Sequence, residues 1–123
     1  MIRFDDFVPG EVLGVHRETL DDAWFHQWHR AFGPDAAPAG GLATAFAMRA
    51  YLTILPERPG GNIHARQRLR THGRMAPGDP VEATLVCAGR ELRNGRRRVV
   101  LEMKATRAGT ALFEAEMTIF WAA

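Results

Sequence analysis

The sequence predicts an α+β domain in which one long buried helix is wrapped by an antiparallel sheet of five to six strands. Residues 41–55 are apolar nearly all the way round apart from Arg49, and a helix with no wide polar face has to be covered by other elements. From Asn62 onward the hydrophobic period is two, which is typical of strands. With 123 residues, 46% of them hydrophobic, the chain is expected to form one domain, residues 1–123.

Two elements are predicted before the long helix. Residues 10–19 alternate in polarity and predict a first strand. The segment 19–22 has the form of a capping box, so a helix is expected to begin there, with Trp24 and Trp28 facing the core. Turn-forming residues at 33–41 then predict a loop before the long helix.

Four antiparallel strands are predicted after the long helix. Gly78-Asp79 and Ala108-Gly109 indicate turns between them, and Asn94-Gly95 is the strongest hairpin signal in the chain. The lone cysteine, Cys87, is expected to be a small buried hydrophobe, which leaves no internal disulfide or cysteine metal cluster. We expect a soluble cytoplasmic protein with no membrane association. The reasons are the single cysteine, the acidic residues near the N-terminus, and an apolar helix too short to span a bilayer.

The start of the long helix is the first candidate site. Gly40 and Gly41 stand there, where backbone N–H groups without partners in the helix polarise a carbonyl or hold an anion. The alternative is that small residues simply let the loop join a closely packed helix.

Three short motifs, together with the order of the elements, resemble a known family. Residues 7–11 read Phe-Val-Pro-Gly-Glu, residues 37–44 read Ala-Pro-Ala-Gly-Gly-Leu-Ala-Thr, and residues 75–81 read Met-Ala-Pro-Gly-Asp-Pro-Val. Across essentially the whole chain this resembles the MaoC-like dehydratase family, which has the hot-dog fold. The resemblance implies an acyl thioester of coenzyme A or an acyl carrier protein, hydrated or dehydrated across C2–C3, with no cofactor. It also implies that the amides of Gly40 and Gly41 stabilise an enolate-like thioester oxygen.

The loop before the long helix departs from the family pattern. Active members carry Gly-Asp-x-Asn-Pro-x-His there, whereas residues 32–41 of this chain keep one aspartate, Asp35, and no histidine. By resemblance Asp35 is the candidate acid/base, although a turn-forming aspartate is the alternative. His29 is the nearest histidine along the chain and the candidate partner of Asp35. Asp22, His26 and His29 are spaced so that they share one face of the first helix. Metal ligands can have this spacing, but a solvated helix face is the preferred interpretation, and no metal is expected.

A basic stripe on the strand after the long helix is the second candidate site. Alternation places His64, Arg66, Arg68, Arg70 and His72 on one side of the sheet. One interpretation is that Arg66, Arg68 and Arg70 bind the phosphates of coenzyme A. The other is a water-exposed face whose arginines pair with glutamates at 82, 102, 114 and 116. The formal charge of +2 is mild support for an anionic partner, but nucleic acid is disfavoured because interleaved exposed aromatics are missing.

Three functions follow as expectations. The first is an enoyl-thioester hydratase or dehydratase, and the second is a non-catalytic member that binds acyl-CoA or supports an active subunit. The third, a hot-dog thioesterase, is disfavoured because residues 41–55 contain no Asp or Glu. Since the fold leaves edge strands to be covered, a homodimer or higher homo-oligomer is expected.

Overall fold

A five-stranded antiparallel sheet packs against a long helix in the computed structural model of this chain, which describes residues 1–33 and 39–123 and leaves the side chains of residues 39 and 40 undescribed. After a short 3₁₀ turn at Phe4–Asp6, the elements are β1 (Val12–Thr19), α1 (Asp22–Phe32), α2 (Ala39–Ile54), β2 (Ile63–Thr71), β3 (Pro80–Arg93), β4 (Arg96–Arg107) and β5 (Thr110–Phe120). The strand order is β1-β3-β4-β5-β2, so β1 and β2 form the two edges. The predicted α+β architecture is confirmed.

The core lies between α2 and the inner face of the sheet. Phe46, Ala47 and Ala50 of α2 have no exposed surface, and the small alanine side chains let the helix approach the strands closely. The strands contribute a layer of alternating buried residues: Ala83, Leu85, Cys87, Val99, Leu101, Met103, Ala115, Met117 and Ile119. Cys87 is buried, as predicted. No helix among the described residues is both long and apolar enough to cross a membrane.

Covering of α2 is incomplete within one chain. Gly41, Ala45 and Leu52 remain exposed and Met48 is half-buried, which leaves an apolar strip along the helix. The predicted long buried helix wrapped by the sheet is confirmed, and the strip is the part of α2 that a single chain leaves exposed. The strip therefore has room for another molecule.

The start of α1 differs from the capping-box prediction. Asp21, not Thr19, is the N-cap residue, and its carboxylate accepts a hydrogen bond from the backbone N–H of Ala23 at 3.0 Å. Thr19 is the last residue of β1 and is paired with Pro80, so it is committed to the sheet. The prediction that both tryptophans face the core holds only in part, because Trp24 packs against the core while Trp28 lies half-buried over the first turn of α2.

An irregularity in β2 changes which residues face inward. The register with β5 shifts between His64 and Arg66, as expected for a β-bulge. His64 lies opposite buried Ile119 and its ring contacts the Tyr51 ring of α2, with 6.3 Å between centroids. His64 therefore points inward. The prediction that all five basic residues of this strand share one side is wrong for His64, because the bulge inverts the alternation.

Residues 75–79 of the family-like motif form a loop fixed by Asp79, and Pro80 and Val81 begin β3. The Asp79 carboxylate accepts hydrogen bonds from the backbone N–H of Ala76 at 2.7 Å and from the Arg107 guanidinium at 2.8 Å. The Asp79 side chain is only 14% exposed. This motif thus has a structural task at the start of β3.

Two hairpin turns use left-handed backbone conformations. Asn94 and Gly95 have φ values of 51° and 74°, as the predicted two-residue hairpin requires. Ala108 and Gly109 repeat the arrangement with φ values of 49° and 81°. Alanine is poorly suited to this region, because its Cβ crowds the following carbonyl at a cost of roughly 1–2 kcal/mol.

Replacing Ala108 by glycine should therefore stabilise the protein. After the entropic penalty of glycine is subtracted, Ala108→Gly is expected to raise the free energy of unfolding by about 0.5–1 kcal/mol. Urea denaturation measures the change, and Ala111→Gly, at an exposed position of β5, is the matched control that should be destabilising. An Ala108→Gly protein no more stable than the parent would contradict the strain assigned to Ala108.

Candidate functional site

The first turn of α2, residues 39–42, is called the α2 entrance below. The first four N–H groups of a helix have no partner within it, and they carry the positive end of the helix dipole. Gly40 and Gly41 both lie in this turn. Asp35 falls outside the described residues, so its role as acid/base stays a prediction.

Gly41 packs directly beneath Trp28. A Cβ built on Gly41 would lie 2.0 Å from Cη2 of Trp28 and 2.7 Å from its Cζ3. Only glycine admits the indole ring at this distance. The packing interpretation of Gly41 is therefore supported, while ligand binding by its amide stays a prediction.

An apolar groove runs from the α2 entrance between α1 and α2. Its volume is about 520 Å³, within the range of pockets that hold small molecules. The residues that line this apolar groove are Trp24, Gln27, Trp28, Phe32, Gly41, Leu42, Thr44, Ala45 and Met48. Phe32 is 65% exposed and its ring lies 4.4 Å from the Trp28 ring. Such a surface accepts an apolar chain.

A half-buried carboxylate, Glu18, links the first strand to both helices. Its two oxygens accept hydrogen bonds from Nε2 of His16 at 2.9 Å and Nε1 of Trp24 at 2.9 Å. The same carboxylate forms an ion pair with Nε of Arg49 at 3.0 Å. The Arg49 guanidinium also lies over the Trp24 ring, 5.2 Å from its centroid. With these donors the Glu18 carboxylate is committed to holding β1, α1 and α2 together, and is not a free base. Strand alternation places Glu18 with His16 on the inner side of β1, but no pattern in the sequence shows that Trp24 and Arg49 meet it there.

The predicted partner of Asp35, His29, lies half-buried near the end of α1. Its carbonyl accepts the N–H of Gly33 at 2.8 Å, and its ring has no hydrogen-bond partner among the described residues. In residues 1–33 and 39–123 no group of three His, Cys, Asp or Glu residues is arranged to hold a metal ion. Whether His29 meets Asp35 stays a prediction.

The arginine stripe, defined as Arg66, Arg68 and Arg70, lies on the outer face of the sheet. Arg68 stands opposite Glu116 and Arg70 opposite Glu114 on β5, but within the described part of the chain Glu114 forms its ion pair with His72 and no stripe arginine forms one. Pairing of the stripe with glutamates therefore stays a prediction. A hydrogen bond from His72 at 2.9 Å, aided by the charges of Lys104 and Arg70, holds the pKa of Glu114 below its usual value. Since α2 packs on the other face, one chain does not bring the arginine stripe to the α2 entrance. Phosphate binding by the stripe stays a prediction.

His64 is the inward-facing histidine that sequence reasoning placed on the wrong side. Burial lowers the pKa of His64, so the neutral imidazole is favoured. Burial also raises the pKa of the neighbouring Tyr51 hydroxyl. The signal that would have revealed this orientation is the bulge, and no proline or glycine in β2 marks it in the sequence.

Adding a methyl group at the α2 entrance should disturb the contact between the two helices. Gly41→Ala is expected to destabilise the protein by about 1–3 kcal/mol, because the new Cβ overlaps the Trp28 ring. Thermal unfolding measures the effect, and Gly60→Ala, which adds a Cβ where no atom lies within 4 Å, serves as control. A smaller residue at position 28, as in Trp28→Leu, should offset part of the Gly41→Ala penalty. Strict additivity of the two substitutions would contradict the contact.

Neutralising Glu18 should weaken the link between β1 and the helices. Glu18→Gln is expected to cost about 1–3 kcal/mol of unfolding free energy, since the new amide donates where His16, Trp24 and Arg49 already donate. Glu82→Gln removes the partner of Arg17 in an exposed pair and should change stability by at most about 1 kcal/mol. If Glu18→Gln and Glu82→Gln lower the free energy of unfolding equally in chemical denaturation, the contacts of Glu18 with His16, Trp24 and Arg49 stabilise the protein no more than an exposed ion pair does.

Comparison with known proteins identifies the fold. No family model and no curated protein matches the sequence. Among solved structures, the R-hydratase PhaJ1 from Pseudomonas aeruginosa is 19% identical with a TM-score of 0.80, over 98% of this chain and 85% of that one. A MaoC-like dehydratase from Rhodospirillum rubrum is 16% identical with a TM-score of 0.80, over 100% and 99% of the two chains.

A third similar structure is the HadBC (3R-hydroxyacyl-ACP dehydratase) complex from Mycobacterium tuberculosis. It is 19% identical with a TM-score of 0.70, over 91% of this chain and 96% of that one. At these identities the likeness concerns the arrangement of helices and strands. The chain has the hot-dog fold of these MaoC-like dehydratases and R-hydratases, as its sequence resemblance predicts.

Proposed function

We propose that this chain is an enoyl-thioester hydratase or dehydratase of the MaoC-like type, with its ligand at the α2 entrance. The observation that carries the proposal is the continuity between the α2 entrance and the apolar groove. A thioester has a carbonyl oxygen next to an acyl chain. The backbone amides suit the oxygen, and the apolar groove suits the chain.

The reaction would add water across the C2–C3 bond of an enoyl thioester. Attack of the water oxygen on C3 pushes electron density onto the thioester oxygen, and amides aimed at that oxygen stabilise the charge. An acid/base group takes a proton from the water, and C2 gains a proton. By resemblance, Asp35 would be this acid/base group. The R-hydratase and dehydratases that share the fold support this reaction type.

The carrier of the acyl group and the setting of the protein are parts of the same proposal. The thioester is one of coenzyme A or an acyl carrier protein, and the protein works in the cytoplasm as a homodimer or larger homo-oligomer. The buried, unpaired Cys87 agrees with a reducing compartment. No further cofactor is needed for adding water to an activated double bond.

A second function is favoured by the composition of the apolar groove. None of its described lining residues is a carboxylate or a histidine. The chain would then bind an acyl thioester without turning it over, or support an active subunit. A binding protein would share the ligand of the hydratase and differ from it in turnover, whereas a supporting subunit would co-purify with an active hydratase.

Hydration of short and medium enoyl-CoA substrates tests the first function. Asp35→Asn should lower kcat about 100-fold or more while leaving the dissociation constant for the thioester nearly unchanged, because a general base acts only in the chemical step. Loss of absorbance of the conjugated thioester follows turnover, and calorimetry follows binding. Asp22→Asn, on the exposed start of α1, is the matched control and should retain full activity.

The outcomes separate the two functions. Turnover that depends on Asp35 supports the hydratase. Calorimetric binding of acyl-CoA without turnover at any chain length favours the non-catalytic function. A protein that neither binds nor converts the thioester contradicts the hydratase and the thioester-binding protein, and failure to co-purify with an active hydratase contradicts the supporting subunit.

A further inference from the structure

The turn between β3 and β4 concentrates the positive charge of the chain. Residues 90–98, called the hairpin tip below, contain five arginines and one glutamate, so their formal charge is +4. The whole chain carries +2, and the remaining residues together therefore carry −2. A charge distribution this uneven attracts an anionic partner to one end of the molecule.

The hairpin tip projects beyond the rest of the sheet. Pairing of β3 with β4 continues to Arg93 and Arg96, whereas β1 pairs with β3 no farther than Val86 and β5 ends opposite Arg98. Residues 90–97 are all exposed. Because it projects, the hairpin tip can meet a flat surface without a clash from the neighbouring strands.

Four arginines of the hairpin tip have one carboxylate among them. Glu91 lies 3.9 Å from Nε of Arg93 and 3.5 Å from Nη1 of Arg98. The Arg96 guanidinium lies over an aromatic ring of β5, 5.1 Å from the ring centroid. Neither Arg96 nor Arg97 forms an ion pair in the described part of the chain. Their guanidinium groups are therefore available to an external anion, and the guanidinium fork suits phosphate.

Leu92 adds an apolar side chain to this charged surface. It is 67% exposed, the highest value among the large hydrophobic residues of the described ranges, and it stands next to Arg93 and opposite Arg97. An exposed aliphatic residue among arginines fits the boundary of a lipid bilayer, where phosphates meet acyl chains. The backbone of duplex nucleic acid offers phosphates without an apolar layer, and the hairpin tip has no aromatic residue for single strands.

Acidic residues and the α2 entrance lie away from the hairpin tip. Glu114 and Glu116 precede the end of β5 by six and four residues, which is roughly 13–20 Å along the strand. Phe46 of α2 contacts Phe113, near the start of β5, whereas Tyr51, farther along α2, contacts β2 beside the end of β5. Contact through the hairpin tip thus keeps these glutamates off an anionic surface and directs the α2 entrance away from it.

We propose that the hairpin tip docks the protein on anionic lipid bilayers, with Leu92 inserted between headgroups and the arginines bound to lipid phosphates. This inference goes beyond the proposed hydratase function and does not depend on it. The expectation of no membrane association was drawn in part from the lack of a spanning segment, and a contact with the bilayer surface needs none. Docking is reversible, because salt screens the attraction between exposed charges.

Co-sedimentation of the intact chain with lipid vesicles tests the docking. The protein should bind vesicles of equal parts phosphatidylglycerol and phosphatidylcholine, should not bind pure phosphatidylcholine vesicles, and should dissociate as the salt concentration rises. Arg96→Gln combined with Arg97→Gln should lower the partition coefficient about 20-fold, because each arginine near an anionic surface contributes about a factor of five. Arg30→Gln combined with Arg74→Gln removes the same charge from exposed positions elsewhere and should bind nearly as well as the parent.

A fluorescent label reports whether the hairpin tip enters the bilayer. Leu92→Cys carrying an environment-sensitive dye should shift its emission to shorter wavelength on anionic vesicles, whereas Gln27→Cys on α1 should not, and Cys87 is buried. Unchanged binding by the Arg96→Gln and Arg97→Gln double variant, or an unshifted label at position 92, overturns the proposal. So does binding of duplex DNA or polyglutamate without binding of anionic vesicles. Docking without hydration of any thioester supports this proposal and contradicts the hydratase function alone.

Discussion

The apolar surface of α2 is the constraint on which the rest of the structure depends. The inner faces of β3, β4 and β5 bury one side of the helix, and Ala43, Ala47 and Ala50 keep that side small enough for close approach. Because the helix is apolar on its remaining sides as well, α1 has to lie along it, with Trp28 seated on Gly41. Glu18 of β1 then holds α1 through the hydrogen bond from Trp24 and α2 through the ion pair with Arg49. Each of these contacts covers a different part of one helix.

The exposed parts of α2 lie beside the apolar groove and near the open edge of the sheet. At its N-terminal end the exposed surface forms the wall of the apolar groove, and farther along, Leu52 lies toward the open edge of the sheet. Fully covering the helix within one chain would have closed both surfaces. The same shortage of covering material thus leaves both the apolar groove beside the first turn of α2 and the open edge of the sheet at β2.

Patterns along the sequence predicted most of the fold because they report local and repeated features. Helical spacing, strand alternation and the Asn94-Gly95 turn gave the element order and the hairpin that the structure contains. Sequence-based predictions were wrong or incomplete in two situations: where one residue interrupts the strand alternation, and where residues far apart in the sequence come into contact. A single bulge in β2 inverted the orientation of His64, and the Glu18 cluster joins side chains from three elements. A site is made of such remote contacts, and local patterns along the sequence do not report them.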